Sequence, residues 1–99
     1  MSKYQIELTE EAKIDLSFFS ASERKLIVEG IKTHLGDEPL QETKNRKKLR
    51  DNPIAPWELR LGNYRVFYTV LEDIIVVTVI SVGHKQHNHL YIRNQEFKL

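Results

Sequence analysis

Residues 63–91 read NYRVFYTVLEDIIVVTVISVGHKQHNHLY, and this stretch decides the fold. Positions 64–71 and 74–82 are dense in Tyr, Val, Ile, Phe and Thr, whose branched or flat side chains suit a pleated, half-buried surface. Glu72 and Asp73 between them predict a tight hairpin loop. The apolar run stops at Gly83. His84, Lys85, Gln86, His87, Asn88, His89 and Tyr91 follow, so donors, a cation and titratable rings stand where a strand is expected to leave the sheet. Such a strand end is a rigid platform for binding or chemistry.

Upstream, Trp57 to Leu61 alternates Trp57, Leu59 and Leu61 with Glu58 and Arg60, a strand whose apolar set meets the core while Arg60 points the other way. The same alternation sets Arg65 and Phe67 opposite Tyr64, Val66 and Tyr68, without saying which set is inward. Lys47 to Leu49 predicts a further strand, and Asn52, Pro53 and Pro56 interrupt between it and Trp57. Nearer the N-terminus, Tyr4 to Leu8 alternates as a short strand. Thr9 is the expected N-cap of a helix through about Phe19, with Glu10 and Glu11 complementing its dipole and Ala12, Leu16 and Phe19 on one face. Ser20 and Glu23 form a capping-box pattern for a second helix, on which Ile27, Ile31 and Leu35 recur every four residues up to Gly36. A strand, a helical hairpin and then consecutive hairpin-linked strands is an α+β layout. It predicts a twisted antiparallel sheet of about four strands with the helices on one face and the other face free.

With 99 residues, 40% of them hydrophobic, the chain supports a single domain spanning residues 1–99. The absence of cysteine excludes a disulfide framework and any thiolate metal site. No apolar stretch approaches the roughly 20 residues that span a bilayer, and acidic residues occupy the N-terminal region where a secretory signal needs an apolar core. A cytoplasmic protein without a membrane partner is expected. The net charge of +1 conceals an asymmetry: residues 1–42 hold five Lys/Arg against nine Asp/Glu, whereas residues 43–65 hold seven against two. Lys44, Arg46, Lys47, Lys48 and Arg50 form the basic run, read either as a solvated loop or as part of a polyanion-binding face completed by Arg60 and Arg65.

The strings KKLRDNPIAPWELRLGNYRVFYTV and VVTVISVGHKQHNHLY resemble the RelE/ParE superfamily of toxin–antitoxin toxins over nearly the whole chain. The superfamily pattern is a K-L-R segment, an aromatic-x-L-R strand, G-x-Y-R-V-x-Y, and V-G followed by a basic residue and a late tyrosine. The RelE branch, which the chain resembles more closely, implies a ribosome-dependent endoribonuclease acting on mRNA in the decoding site. The ParE branch implies inhibition of DNA gyrase. Either implies a cognate antitoxin protein as partner, in a hetero-oligomer that neutralises the toxin. Carried over by position, the RelE-type site falls on Arg60, Arg65, Lys85 and Tyr91. Glu58 stands where such toxins have a second lysine, and Lys85 where they have arginine.

The chemistry of these residue types fits that implication. RNA cleavage by attack of a 2′-hydroxyl on the adjacent phosphorus needs a base, an acid for the 5′-oxygen, and cations around the phosphoryl group. Arg60 and Arg65 suit bidentate contact with non-bridging oxygens, and Lys85 suits a point charge. Tyr91, with a reference pKa of about 10, is an acid only beside cations; His84, with a reference of about 6.5, is the better proton shuttle, and Glu58 is a candidate base. His87 and His89 are expected on one side of an extended segment, in reach of RNA. Trp57 and Phe67 are aromatic candidates for base stacking or for the core. No metal and no cofactor are required. The nuclease reading demands that Arg60, Arg65, Lys85 and Tyr91 converge on the open sheet face. A gyrase inhibitor needs no acid or base. In a decayed toxin that keeps only its antitoxin-binding role, lysine restored at position 58 would raise toxicity.

Overall fold

The computed structural model describes residues 3–98. The elements run β1 (Gln5–Leu8), α1 (Glu10–Leu16), α2 (Ala21–Leu35), β2 (Arg46–Lys48), β3 (Trp57–Leu61), β4 (Tyr64–Leu71), β5 (Val76–Gln86), β6 (His89–Ile92) and β7 (Gln95–Phe97). The sheet order is β2-β3-β4-β5-β6-β7, every neighbour antiparallel, and β1 joins β5 in parallel. The α+β layout is as expected, but with seven strands instead of about four. No helix among the described residues is long and apolar enough to cross a membrane.

Both helices start where their caps predict. The Thr9 hydroxyl accepts from the Ala12 N–H, and Ser20 and Glu23 close a reciprocal capping box, worth about 1 kcal/mol. The first helix ends at Leu16, not Phe19, because Phe18 and Phe19 donate to Asp15 and Leu16 three residues back and tighten the chain into turns. Phe19 still packs on the core. Ile27, Ile31 and Leu35 are buried with Trp57, Leu59, Val66, Tyr68, Val77, Val79 and Val82 between the helices and the sheet.

A β-bulge sets the register of β5. Tyr68 pairs with Val79 while Phe67 pairs with Ser81, so Ile80 is one residue extra. The bulge lets Val79 and Val82, three apart, both face the helices, and it interrupts the outer edge of β5 between β1 at Val76–Val79 and β6 at His84–Gln86. The start of α1 fills that gap. The Thr9 hydroxyl donates to the Ile80 carbonyl at 2.9 Å, and the Asp15 carboxylate accepts from the Val82 N–H at 2.9 Å and the Ser81 hydroxyl at 2.7 Å.

Three expectations need correction. The strand does not stop at Gly83: residues 84–86 continue β5 because β6 pairs with them, across a two-residue turn in which His87 (φ 52) and Asn88 (φ 67) are both left-handed. Arg93 and Asn94 make a second such turn before β7. At the other end of β5, Ile74 and Ile75 belong to the turn after Glu72 and Asp73 and are exposed, with Ile75 at φ 56. Finally, the sheet face away from the helices is not free. Asn52 accepts from Ile54 and Ala55 and donates to the Arg50 and Ala55 carbonyls, folding the 49–56 loop so that Ala55 packs with Phe67, Leu90 and Ile92 in a second small core.

Candidate functional site

Pleating distributes the expected site residues over two faces. Glu58 and Arg60 alternate with the core residues of β3, and Arg65 lies directly across from Arg60, so all three stand on the face away from the helices. On β5, Arg65 pairs with Gly83, and the alternation carries Lys85 to that same face, where its partner Leu90 belongs to the second core. His84 and Tyr91 pair across β5 and β6 and stack at 5.6 Å on the helix side, where Phe19 meets the His84 ring edge-on at 6.0 Å. Convergence of Arg60, Arg65, Lys85 and Tyr91 on one face is therefore not what the structure shows. The reason is the turn at His87–Asn88, which fixes Tyr91 opposite His84, and not opposite Lys85.

The cationic face has its own electrostatics. Arg60 Nε donates to Glu58 Oε1 at 2.8 Å, and the Glu58 side chain is only 2% exposed. Two guanidiniums opposed across strands repel, and the buried carboxylate of Glu58, beside Arg60 along β3, offsets one charge. Arg65 Nη1 donates to the carbonyls of Gly62 (2.7 Å) and Tyr64 (2.9 Å), while its Nε is buried without a partner among the described residues. Burial holds the Arg65 pKa below the usual arginine value, and the Arg60 charge pushes the same way against the attraction of Glu58. Lys47 pairs with Glu58 and adds a further cation to this face.

The basic run divides likewise. Lys44, Lys48 and Arg50 are exposed and available to an anion. Arg46 is not: its guanidinium donates to the His34 carbonyl at 2.6 Å and to Gln41 at 2.8 Å, closing the C-terminal end of α2, so it is a structural cap. His87 and His89 do not share an extended side, since His87 sits in the turn while His89 pairs with Glu96 at 2.7 Å. Trp57 and Phe67 are both buried, Trp57 stacked on Tyr68 and Phe67 in the second core, so neither reaches a base.

Two features escaped the sequence reading. Asp15 is almost fully buried at the bulge, and Arg93 Nε lies 2.9 Å from its Oδ1, an ion pair without hydrogen-bond alignment. Its position one residue before Leu16 in the buried stripe was the available signal. The second is a cavity of about 480 Å³ on the helix side, where Phe18, Phe19 and Glu23 face Asn63, Tyr64 and His84. Tyr64 donates its hydroxyl to Glu23 at 2.8 Å.

Comparison with known proteins narrows the family. Residues 6–89 match the family model described as the ParE toxin of the type II toxin–antitoxin system parDE. Among solved structures, the chain is similar to one in the crystal structure of the toxin–antitoxin complex RelBE2 from Mycobacterium tuberculosis, with a TM-score of 0.74 and 27% identity over 86% of this chain and 94% of that one. It shares the fold of a chain in the archaeal RelE–RelB complex from Pyrococcus horikoshii, with a TM-score of 0.68 and 21% identity over 86% of this chain and 98% of that one. No match was found among curated protein sequences. A ParE model over most of the chain and RelE complexes as structural neighbours agree on one conclusion: the chain belongs to the RelE/ParE superfamily of type II toxin–antitoxin toxins.

Proposed function

We propose that this toxin inhibits translation as a metal-independent mRNA endoribonuclease acting in the ribosomal decoding site, with its phosphate clamp on the sheet face away from the helices. The observation that carries the reading is the opposed pair Arg60 and Arg65 on a face where the carboxylate of Glu58 pairs with Arg60, leaving Arg65 without an acidic partner among the described residues. That arrangement holds an uncompensated positive charge, which a phosphate at the exposed side of the guanidinium would neutralise. Glu58, buried against Arg60, orients the guanidinium and is a positioning residue in place of the base expected from sequence. Lys47 and Lys85 add charge on the same face, whereas Lys48, paired with Trp57, is on the helix side.

In this reaction the 2′-hydroxyl gives its proton to water as its oxygen forms a bond to phosphorus, the bond to the 5′-oxygen breaks and that oxygen takes a proton from water, and the products are a 2′,3′-cyclic phosphate and a 5′-hydroxyl. The clamp stabilises the charge that gathers on the non-bridging oxygens, an effect of about 100- to 1,000-fold per well-placed donor. His84 and Tyr91 lie on the other face and take no part in this step as the free chain is folded.

A second reading, gyrase inhibition, is favoured by the ParE family model and by that same separation of proton-transfer groups from the cations. Either toxin is neutralised by an antitoxin, as the neighbours crystallised with RelB suggest, and an acidic segment lying along Lys44 to Arg50 would cover the clamp. The test is expression of the wild type and Arg65→Ala in a bacterial host, with primer extension on recovered mRNA. Cuts in translated message that vanish in the variant are expected. Growth arrest without cuts, together with loss of supercoiling activity, would replace this reading with gyrase inhibition.

A further inference from the structure

We infer that the helix-side cavity is a slot for one unpaired nucleobase carrying an exocyclic amino group, adenine, cytosine or guanine in preference to uracil. The inference rests on the RNA reading above. Its physical basis is the strand end at His84–Gln86, where successive side chains alternate between faces. Lys85 belongs by alternation to the cationic face and also borders the cavity together with His84 and Gln86, so a nucleotide whose phosphate lies at the clamp side can pass its base around this strand end.

The cavity, about 480 Å³, is in the range of small-ligand sites and exceeds a single base. Its aromatic wall is pre-organised: Phe19 stands edge-on to Tyr64 at 5.7 Å and to His84 at 6.0 Å, and His84 is itself backed by Tyr91. Phe18 is 54% exposed at the rim, a large apolar ring with no core to fill, as a stacking platform requires. Asn63 is held in place because its carbonyl accepts from the Lys85 N–H at 2.7 Å, leaving its side-chain amide to address a base edge.

Glu23 sets the preference. Its carboxylate accepts from the Ser20 N–H at 2.9 Å and the Tyr64 hydroxyl at 2.8 Å. Those bonds, the Ser20 backbone first, hold its pKa below the usual carboxylate value, so it is an anion with acceptor sites to spare. An exocyclic amino group donates to such an acceptor. Uracil offers one N–H flanked by two carbonyl oxygens, which the carboxylate repels.

The experiment is fluorescence anisotropy with fluorescein-labelled 2′-O-methyl hexanucleotides, which lack the attacking hydroxyl and stay intact. One contains only uracil and the other a single central adenine. The wild type is expected to bind the adenine probe roughly 10- to 150-fold more tightly, the scale of one hydrogen bond to a charged group. Glu23→Gln, which keeps a capping residue at that position, should abolish that preference while retaining uracil-probe binding, and Arg65→Ala should weaken both probes alike. Equal affinities in the wild type, with Arg65 still required, would overturn the slot and leave the clamp standing. No binding of either probe at low salt would overturn the slot, while the ribosomal reading stands or falls on the primer-extension experiment. Weakened antitoxin binding by Phe18→Ala with unchanged probe preference would make the cavity a protein site and overturn the proposal.

Discussion

Asp15 makes the sharpest stability prediction, because its carboxylate serves three elements from a nearly fully buried position. Asp15→Ala removes the acceptor of the Val82 N–H and of the Ser81 hydroxyl and strands Arg93. The bulge at Ile80 leaves the Val82 N–H without a strand partner on that edge, so its desolvation is uncompensated in the variant. A hydrogen bond to a charged group contributes about 1.5–3 kcal/mol, and Arg93, 40% exposed, recovers solvation and adds little. The expected loss is about 3–4 kcal/mol, a large part of the roughly 5–15 kcal/mol typical of a domain. At about 4–8 °C per kcal/mol, the midpoint should fall by roughly 12–30 °C. Urea unfolding followed by the fluorescence of Trp57, the single tryptophan, measures it. Arg93→Ala should cost below about 1 kcal/mol and Asp15→Asn an intermediate amount, since an amide oxygen still accepts from Val82. An Asp15→Ala cost below about 1 kcal/mol would refute the reasoning, because the bulge donor would then have another partner.

Glu23→Gln tests the capping box by pH. The folded pKa of Glu23 lies below its ordinary value of 4.5, so its contribution is present above that value and is lost as pH falls through the folded pKa; the variant should lack that acid limb in pH-dependent melting. Ile75→Gly should stabilise the chain by about 1 kcal/mol, because a β-branched residue at φ 56 is strained and its side chain is 43% exposed; a lower urea midpoint would show that the side chain has a hidden contact. Gly83→Ala places a Cβ against the Tyr91 carbonyl oxygen and the Ile92 side chain, so β6 must shift. The expected cost is about 1–3 kcal/mol with faster proteolysis after Ile92, and unchanged proteolysis would mean that β6 accommodates the methyl group.

How much of the site was readable depends on the kind of signal each residue carries. Alternation turns Arg60 away from the core and separates Arg65 from Tyr64, Val66 and Tyr68 without choosing its side; only the register, with Arg65 directly across from Arg60, puts both on one face. The placement of Tyr91 failed at the His87–Asn88 turn. Asn is permissive of left-handed geometry but His is an unusual partner for it, so the turn carried no glycine to announce it. Val79 and Val82 share the core face only because Ile80 bulges, and nothing in a uniformly apolar run such as VVTVISV marks one residue as extra. Arg46, indistinguishable from its basic neighbours in sequence, became a helix cap through contacts 5 and 12 residues away.

The sequence by itself determined the order of elements through β5, both helix caps, the inward face of β3 and the family resemblance, because these follow from local periodicity, capping chemistry and shared motifs. Only the tertiary structure decided that the cations and the aromatic pair occupy opposite faces, that the outer face carries a second core, and that Asp15 is interior. Each of those depends on register, bulges and left-handed turns, where a single residue's displacement moves every following side chain to the other side of the sheet.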